Sequence, residues 1–198
     1  MDAALPLWLK IAYTGLVVVI LPVYARTWGW RNFLWFSDIA LVTTAVALWL
    51  ENALLASMMA VGVLLPELLW NASYFARLIS GSRVSPLADY MFDPTKPRYL
   101  RALSLFHVVL PVILLWLLYR LGYDERALPA QTLLAWIVLP VTYAVVRPGD
   151  ENINWVYGFG ERQRRFPPLV YVALLMIGFP LAVFLPTHFA LKALFGHG

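Results

Sequence analysis

The sequence predicts an all-α fold, a polytopic transmembrane helical bundle of six spans with both termini on the extracytoplasmic side. Three observations carry that prediction. Hydrophobic residues make up 62% of the 198 residues and charged residues 13%, against roughly 25% charged in a soluble domain. A soluble protein of this length has no core large enough to hide that much apolar surface, whereas a bilayer covers it. The apolar residues gather into six stretches, Leu5–Ala25, Phe33–Leu50, Ala53–Ile79, Tyr99–Leu121, Ala127–Val146 and Pro167–Leu191, each near the ~20 residues needed to cross ~30 Å of hydrocarbon. Finally, the cations divide unevenly when the connections are taken alternately. One side carries Arg26, Arg31, Arg77, Arg83, Lys96, Arg98, Arg101, Arg147, Arg162, Arg164 and Arg165; the other carries only Lys10, Arg120, Arg126 and Lys192. Cationic short loops stay in the cytoplasm, so the first side is expected to be cytoplasmic.

The elements follow in order. The opening MDAALPLWLK has no basic segment ahead of its apolar run and no small-residue cleavage site after it, so it is expected to be a retained first helix. The second and third stretches meet at Glu51–Asn52. As one rod, 33–79 would run roughly 70 Å at ~1.5 Å per residue, so a turn is required there although no Gly or Pro marks it. Two cytoplasmic connections are long enough for structure of their own. Ser80–Arg98 holds Asp-Pro and Lys-Pro turn signals. Arg147–Phe166 runs from Pro-Gly-Asp through an uncharged aromatic patch to a basic end, a composition suited to the headgroup layer. Trp28, Trp30, Phe33, Trp35 and Phe36 read as an interfacial anchoring belt. The faint echo of LPVY in LPVTY is too common a composition to establish a repeat. The whole of 1–198 reads as one integral membrane domain.

Composition also excludes. The net charge of +4 sits beside membrane segments with no nucleic-acid motif, so the expected partners are membrane lipids and a lipophilic small molecule, with no nucleic acid. There is no cysteine, which removes disulfides, thiolate metal sites and thiol nucleophiles.

Ionisable groups in hydrocarbon cost about 2.5–3.5 kcal/mol for a central Asp, so each needs a partner or a purpose. The topology sorts them by depth. Asp38 lies just inside the cytoplasmic end of the second span. Glu67 and Asn71 share a face of the third, with Tyr74 one turn further. His107 lies on the fourth, with Ser104 three residues before it. Tyr143 ends the fifth, and Asn152, Asn154 and Tyr157 follow in its loop. All converge on the cytoplasmic half, and no comparable group stands out in the outer half. Pro111 removes the hydrogen bond that would serve the His107 carbonyl, and Pro66 does the same to Gly62. The third and fourth spans are therefore expected to bend beside their ionisable residues.

This pattern suits several chemistries. For acid–base work on a lipid, His107 is the expected base and Asp38 or Glu67 the carboxylate that orients it. Thr43, Thr44 or Ser104 would offer a hydroxyl, and Asn71, Tyr143, Asn154 and Tyr157 would contact the ligand. Helical phase argues against Thr44 sharing the face of Asp38. Proton-coupled carriage through the same groups is a second possibility, and a polar network that only holds helices together is a third. A metal site is disfavoured, because His188 falls near the outer interface and His197 in the terminal tail, leaving one intramembrane imidazole. No cofactor is expected.

FLWFSDIAL, LPELLWN, YMFDP, SLFHVVLP and NINWVYG together resemble a bacterial family of small, uncharacterised six-span membrane-associated proteins. The resemblance covers nearly the whole chain and implies the same integral helical fold, with no activity attached. In position, though without a continuous motif, Thr43 or Thr44 with His107 is also similar to intramembrane Thr/His hydrolases of lipid esters and related acyl-transfer proteins. That similarity implies a nucleophile on an early span and a base on a later one.

Overall fold

A computed structural model describes residues 5–147 and 149–196. Its elements are helical, with no strand among the described residues. Eight α-helices follow in order: α1 (Leu7–Thr27), α2 (Phe36–Leu50), α3 (Ala53–Ser80), α4 (Arg98–Leu103), α5 (Phe106–Leu121), α6 (Ala127–Val145), α7 (Pro168–Phe179) and α8 (Leu185–Phe195). Five helical units, with α4–α5 and α7–α8 each taken together, are long and apolar enough to cross a membrane. They mark a multi-pass membrane protein. Large apolar side chains such as Trp8, Val112, Leu169 and Ile177 stand exposed on their outer faces, where lipid, not water, is the fitting solvent.

The remaining apolar helix, α2, has 15 residues and is shorter than the Phe33–Leu50 read from sequence. Residues Trp30–Leu34 form a 3-10 turn, and Trp35 is extended. Asn154 holds that break from outside, accepting a bond from the Phe36 amide at 3.2 Å and donating to the Leu34 carbonyl at 2.7 Å. The hydropathy of Phe33–Trp35 carries no trace of a clamp from a residue 120 positions away.

The expected turn at Glu51–Asn52 is present. Glu51 adopts the left-handed conformation (φ 50°), and the Asn52 side chain caps α3 by accepting from the Leu55 amide at 2.9 Å. Cap chemistry thus replaces glycine. The fourth stretch is not one helix: Ser104–Leu105 form a turn between α4 and α5. The last is interrupted by a π turn over Pro180–Phe184, where Pro180 and Pro186 remove backbone donors.

At 28 residues, about 42 Å, α3 is the central post and packs against α2, α5, α6 and α8. Gly62 lets α6 approach closely, since a Cβ there would strike the Gln131 side-chain amide. The connections gather at two ends. At the cation-rich end, Arg31 pairs with Asp150 (2.8 Å), Lys96 lies over the Trp28 ring (4.7 Å), and Trp35 meets Trp155 edge-on. At the opposite end, Lys10 pairs with Glu51 (2.7 Å) and Lys192 with Glu125 (2.8 Å), while the Asp124 amide donates to Ser57 (3.0 Å).

Candidate functional site: a histidine held by a buried carboxylate

The site grows from the two proline-bearing helices, α3 and α5. On α3, the four-residue spacing of Glu67 and Asn71 places them one above the other. On α5, Pro111 leaves the His107 carbonyl without its helical donor. Asn71 supplies one: its Nδ2 donates to the His107 carbonyl at 2.7 Å and to the Glu67 carbonyl at 2.8 Å. The two helices are thereby fixed in register next to the side chains of interest.

Across that junction, His107 Nδ1 lies 3.0 Å from Glu67 Oε1 and 2.9 Å from Oε2. The Glu67 side chain is 3% exposed and that of His107 14%. An ionised carboxylate only accepts, so Nδ1 is the donor in such a pair, and a neutral ring so held would present its lone pair at Nε2. Nε2 has no hydrogen bond among the described residues. The imidazole stacks on Trp70 (4.8 Å between centroids) and Phe106 (4.0 Å), contacts that fix its plane.

Asp38 is also buried. Its Oδ2 accepts from Asn32 Nδ2 at 3.1 Å, and its Oδ1 has no partner. It lies within electrostatic reach of His107 and Glu67 but does not touch the ring nitrogen that Glu67 occupies. Between the two carboxylates that sequence offered as orienting groups, Glu67 takes that position. Thr44 is fully buried with its hydroxyl unpartnered, while Thr43 is half-buried. Ser104 bonds Tyr24 Oη (2.9 Å) and the Leu100 carbonyl (3.1 Å). The turn at Ser104–Leu105 engages that hydroxyl with α1 instead of presenting it to His107.

Tyr143, Asn154 and Tyr157 form a separate group. Tyr157 Oη donates to the Val146 carbonyl at 2.7 Å, its ring packs on Tyr143, and Asn154 holds the start of α2. These three shape the 146–167 connection and are not gathered around His107.

Sequence reasoning missed two features. Tyr90, on the 3-10 turn Pro86–Phe92, packs against Trp70 (6.5 Å between rings). Burial pushes its phenol above the usual range, with Ser104 and Trp70 acting the other way. Its MFDP neighbourhood reads only as a turn. The half away from the cation-rich end also contains polar groups, contrary to expectation. Gln131 is 1% exposed with Oε1 unpartnered, and Tyr123 Oη meets His188 Nδ1 at 2.6 Å. Gln131 escaped notice because it is uncharged and lies within an apolar run, and its closeness to Gly62 is a property of the fold alone. His197 lies outside the described residues. Among those described, no three His, Asp or Glu side chains gather as metal ligands.

No family model, curated protein or solved structure matches the chain.

Proposed function

We propose that this is a six-span protein of a bacterial cytoplasmic membrane in which His107, oriented by Glu67, acts on a lipid or lipophilic ester as a general base. The six spans are α1, α2, α3, α4–α5, α6 and α7–α8, with the cation-rich end in the cytoplasm and both termini outside. The observation that carries the catalytic reading is the Nδ1–carboxylate contact, because it leaves Nε2 as the one free, basic edge of a fixed imidazole. Nε2 would take a proton from the hydroxyl that adds to the ester carbonyl, Glu67 would balance the imidazolium, and the same proton would pass to the alcohol that leaves as the acyl C–O bond breaks. The attacking group is water or the buried Thr44 hydroxyl. Thr44 on an early span and His107 on a later one follow the order implied by the resemblance to Thr/His lipid-ester hydrolases. Asn71 serves this scheme by locking α3 to α5.

A second reading, proton-coupled carriage, is favoured by one observation: the unpartnered, buried Oδ1 of Asp38 within reach of the pair. Turnover separates the two readings. Purified protein should cleave or transfer acyl groups in a panel of lipid esters. His107→Ala should lower the rate about 10²–10⁴-fold, the range for losing a general base. Glu67→Gln should lower it as well, with the fold retained in both. A pH-driven ligand flux through reconstituted vesicles, with no bond broken by wild type, would favour the carrier.

A further inference from the structure

From Glu67 to Arg77, α3 rises about 15 Å towards the cation-rich end. There it borders a surface cavity of about 360 Å³ lined by Arg77, Arg83, Asp89, Phe92, Asp93 and Pro94. Two guanidiniums converge on one carboxylate: Arg77 Nη1 meets Asp89 Oδ1 at 2.6 Å, and Arg83 Nη2 meets Oδ2. Within the lining the two arginines are balanced in formal charge by Asp89 and Asp93, and Lys96 and Arg101 beside Asp93 supply the further positive charge. Each guanidinium has five N–H donors, and Asp89 takes one from each. The other acid, Asp93, is turned to Thr95, whose amide and hydroxyl donate to Oδ1 at 2.9 and 2.7 Å.

The walls are fixed. Ser85 Oγ bonds Ser73 Oγ (2.7 Å), and Arg101 Nη1 donates to the Met91 carbonyl (3.1 Å), pinning the 86–92 turn to α3 and α4. A continuous aromatic ladder links this cavity to the histidine. His107 stacks on Trp70 at 4.8 Å, Trp70 on Tyr74 at 5.2 Å, and Tyr74 packs on Phe92 at 5.7 Å. The Arg77 guanidinium lies 4.7 Å from the centre of the Phe92 ring.

We infer that the Arg77–Arg83 cavity is a headgroup subsite that takes the phosphate of an anionic lipid, whose apolar part follows the aromatic ladder towards His107. Guanidinium forks match phosphate oxygens, and basic pockets at membrane-helix ends suit lipid headgroups. This assignment rests on the lipid reading of His107 and narrows its substrate class to phosphate-bearing amphiphiles.

The test is calorimetric titration of the full-length protein in detergent with dihexanoyl phosphatidic acid, dihexanoylglycerol and inorganic phosphate. Phosphatidic acid should bind to wild type, and at least tenfold more weakly to Arg83→Gln. Arg83→Lys should recover part of the loss. Because the Arg83 side chain is 65% exposed, that variant tests the site even where Arg77→Gln fails to fold. Unchanged binding by Arg83→Gln, or equal binding of dihexanoylglycerol, overturns the subsite. Inorganic phosphate binding as tightly as the lipid overturns it too, assigning the cavity to the free anion. Arginine-dependent lipid binding without turnover upholds the subsite and removes only the catalytic reading. Turnover that survives in wild type with no such binding removes only the subsite.

Discussion

At the scale of single residues, the decisive fact is that one amide repairs what one proline removes. Asn71 donates to the carbonyl that Pro111 leaves open and holds Glu67 and His107 within hydrogen-bonding distance. Asn71→Ala should therefore destabilise the protein by about 1–2 kcal/mol, the upper range for interhelical hydrogen bonds in membranes. In a Pro111→Ala background, the restored backbone N–H can serve His107 instead, and the same substitution should cost markedly less. Unfolding of the four proteins of this cycle in detergent measures the difference; equal costs in both backgrounds would contradict the repair. Much of this was legible. Helical spacing put Glu67 and Asn71 on one face, and proline chemistry named the carbonyl of His107. The choice between Asp38 and Glu67 was not legible, because it depends on how α3 rotates against α5. Nor was Ser104 separable from His107, since their three-residue spacing assumes a helix that turns just between them.

At the scale of elements, the connections do more than join spans. Asn154 clamps both sides of the break before α2 while itself left-handed (φ 51°). Asn154→Ala loses both bonds and places a Cβ-bearing residue with no compensating side-chain contact in that conformation. It should lower stability by about 1–3 kcal/mol, with Asn154→Asp intermediate because it keeps the acceptor for Phe36. Thermal unfolding monitored by circular dichroism checks the order; a wild-type midpoint for Asn154→Ala would remove the clamp. Sequence placed Asn154 in a polar loop and read it as a ligand contact. Its partners are backbone atoms, which no side-chain pattern reveals. The Glu51–Asn52 turn was legible for a different reason: an uninterrupted rod through it is physically too long.

At the scale of the whole molecule, composition was enough for a helical membrane protein, because apolar surface in this quantity has only one solvent. The structure adds that Arg31–Asp150 and Lys96–Trp28 draw the cation-rich connections to one end, while Lys10–Glu51 and Lys192–Glu125 close the other. The His107–Glu67 pair, the aromatic ladder and the arginine cavity all belong to the half nearer the first end. The proposal that this half faces the cytoplasm rests on the cation imbalance, eleven against four. The absence of native cysteine makes this directly measurable with a membrane-impermeant thiol reagent on intact cells and inverted vesicles. Thr95→Cys should react only from the cytoplasmic face, and Glu125→Cys only from the other. Labelling of both from the same face would contradict the six-span account and the depth it assigns to the site.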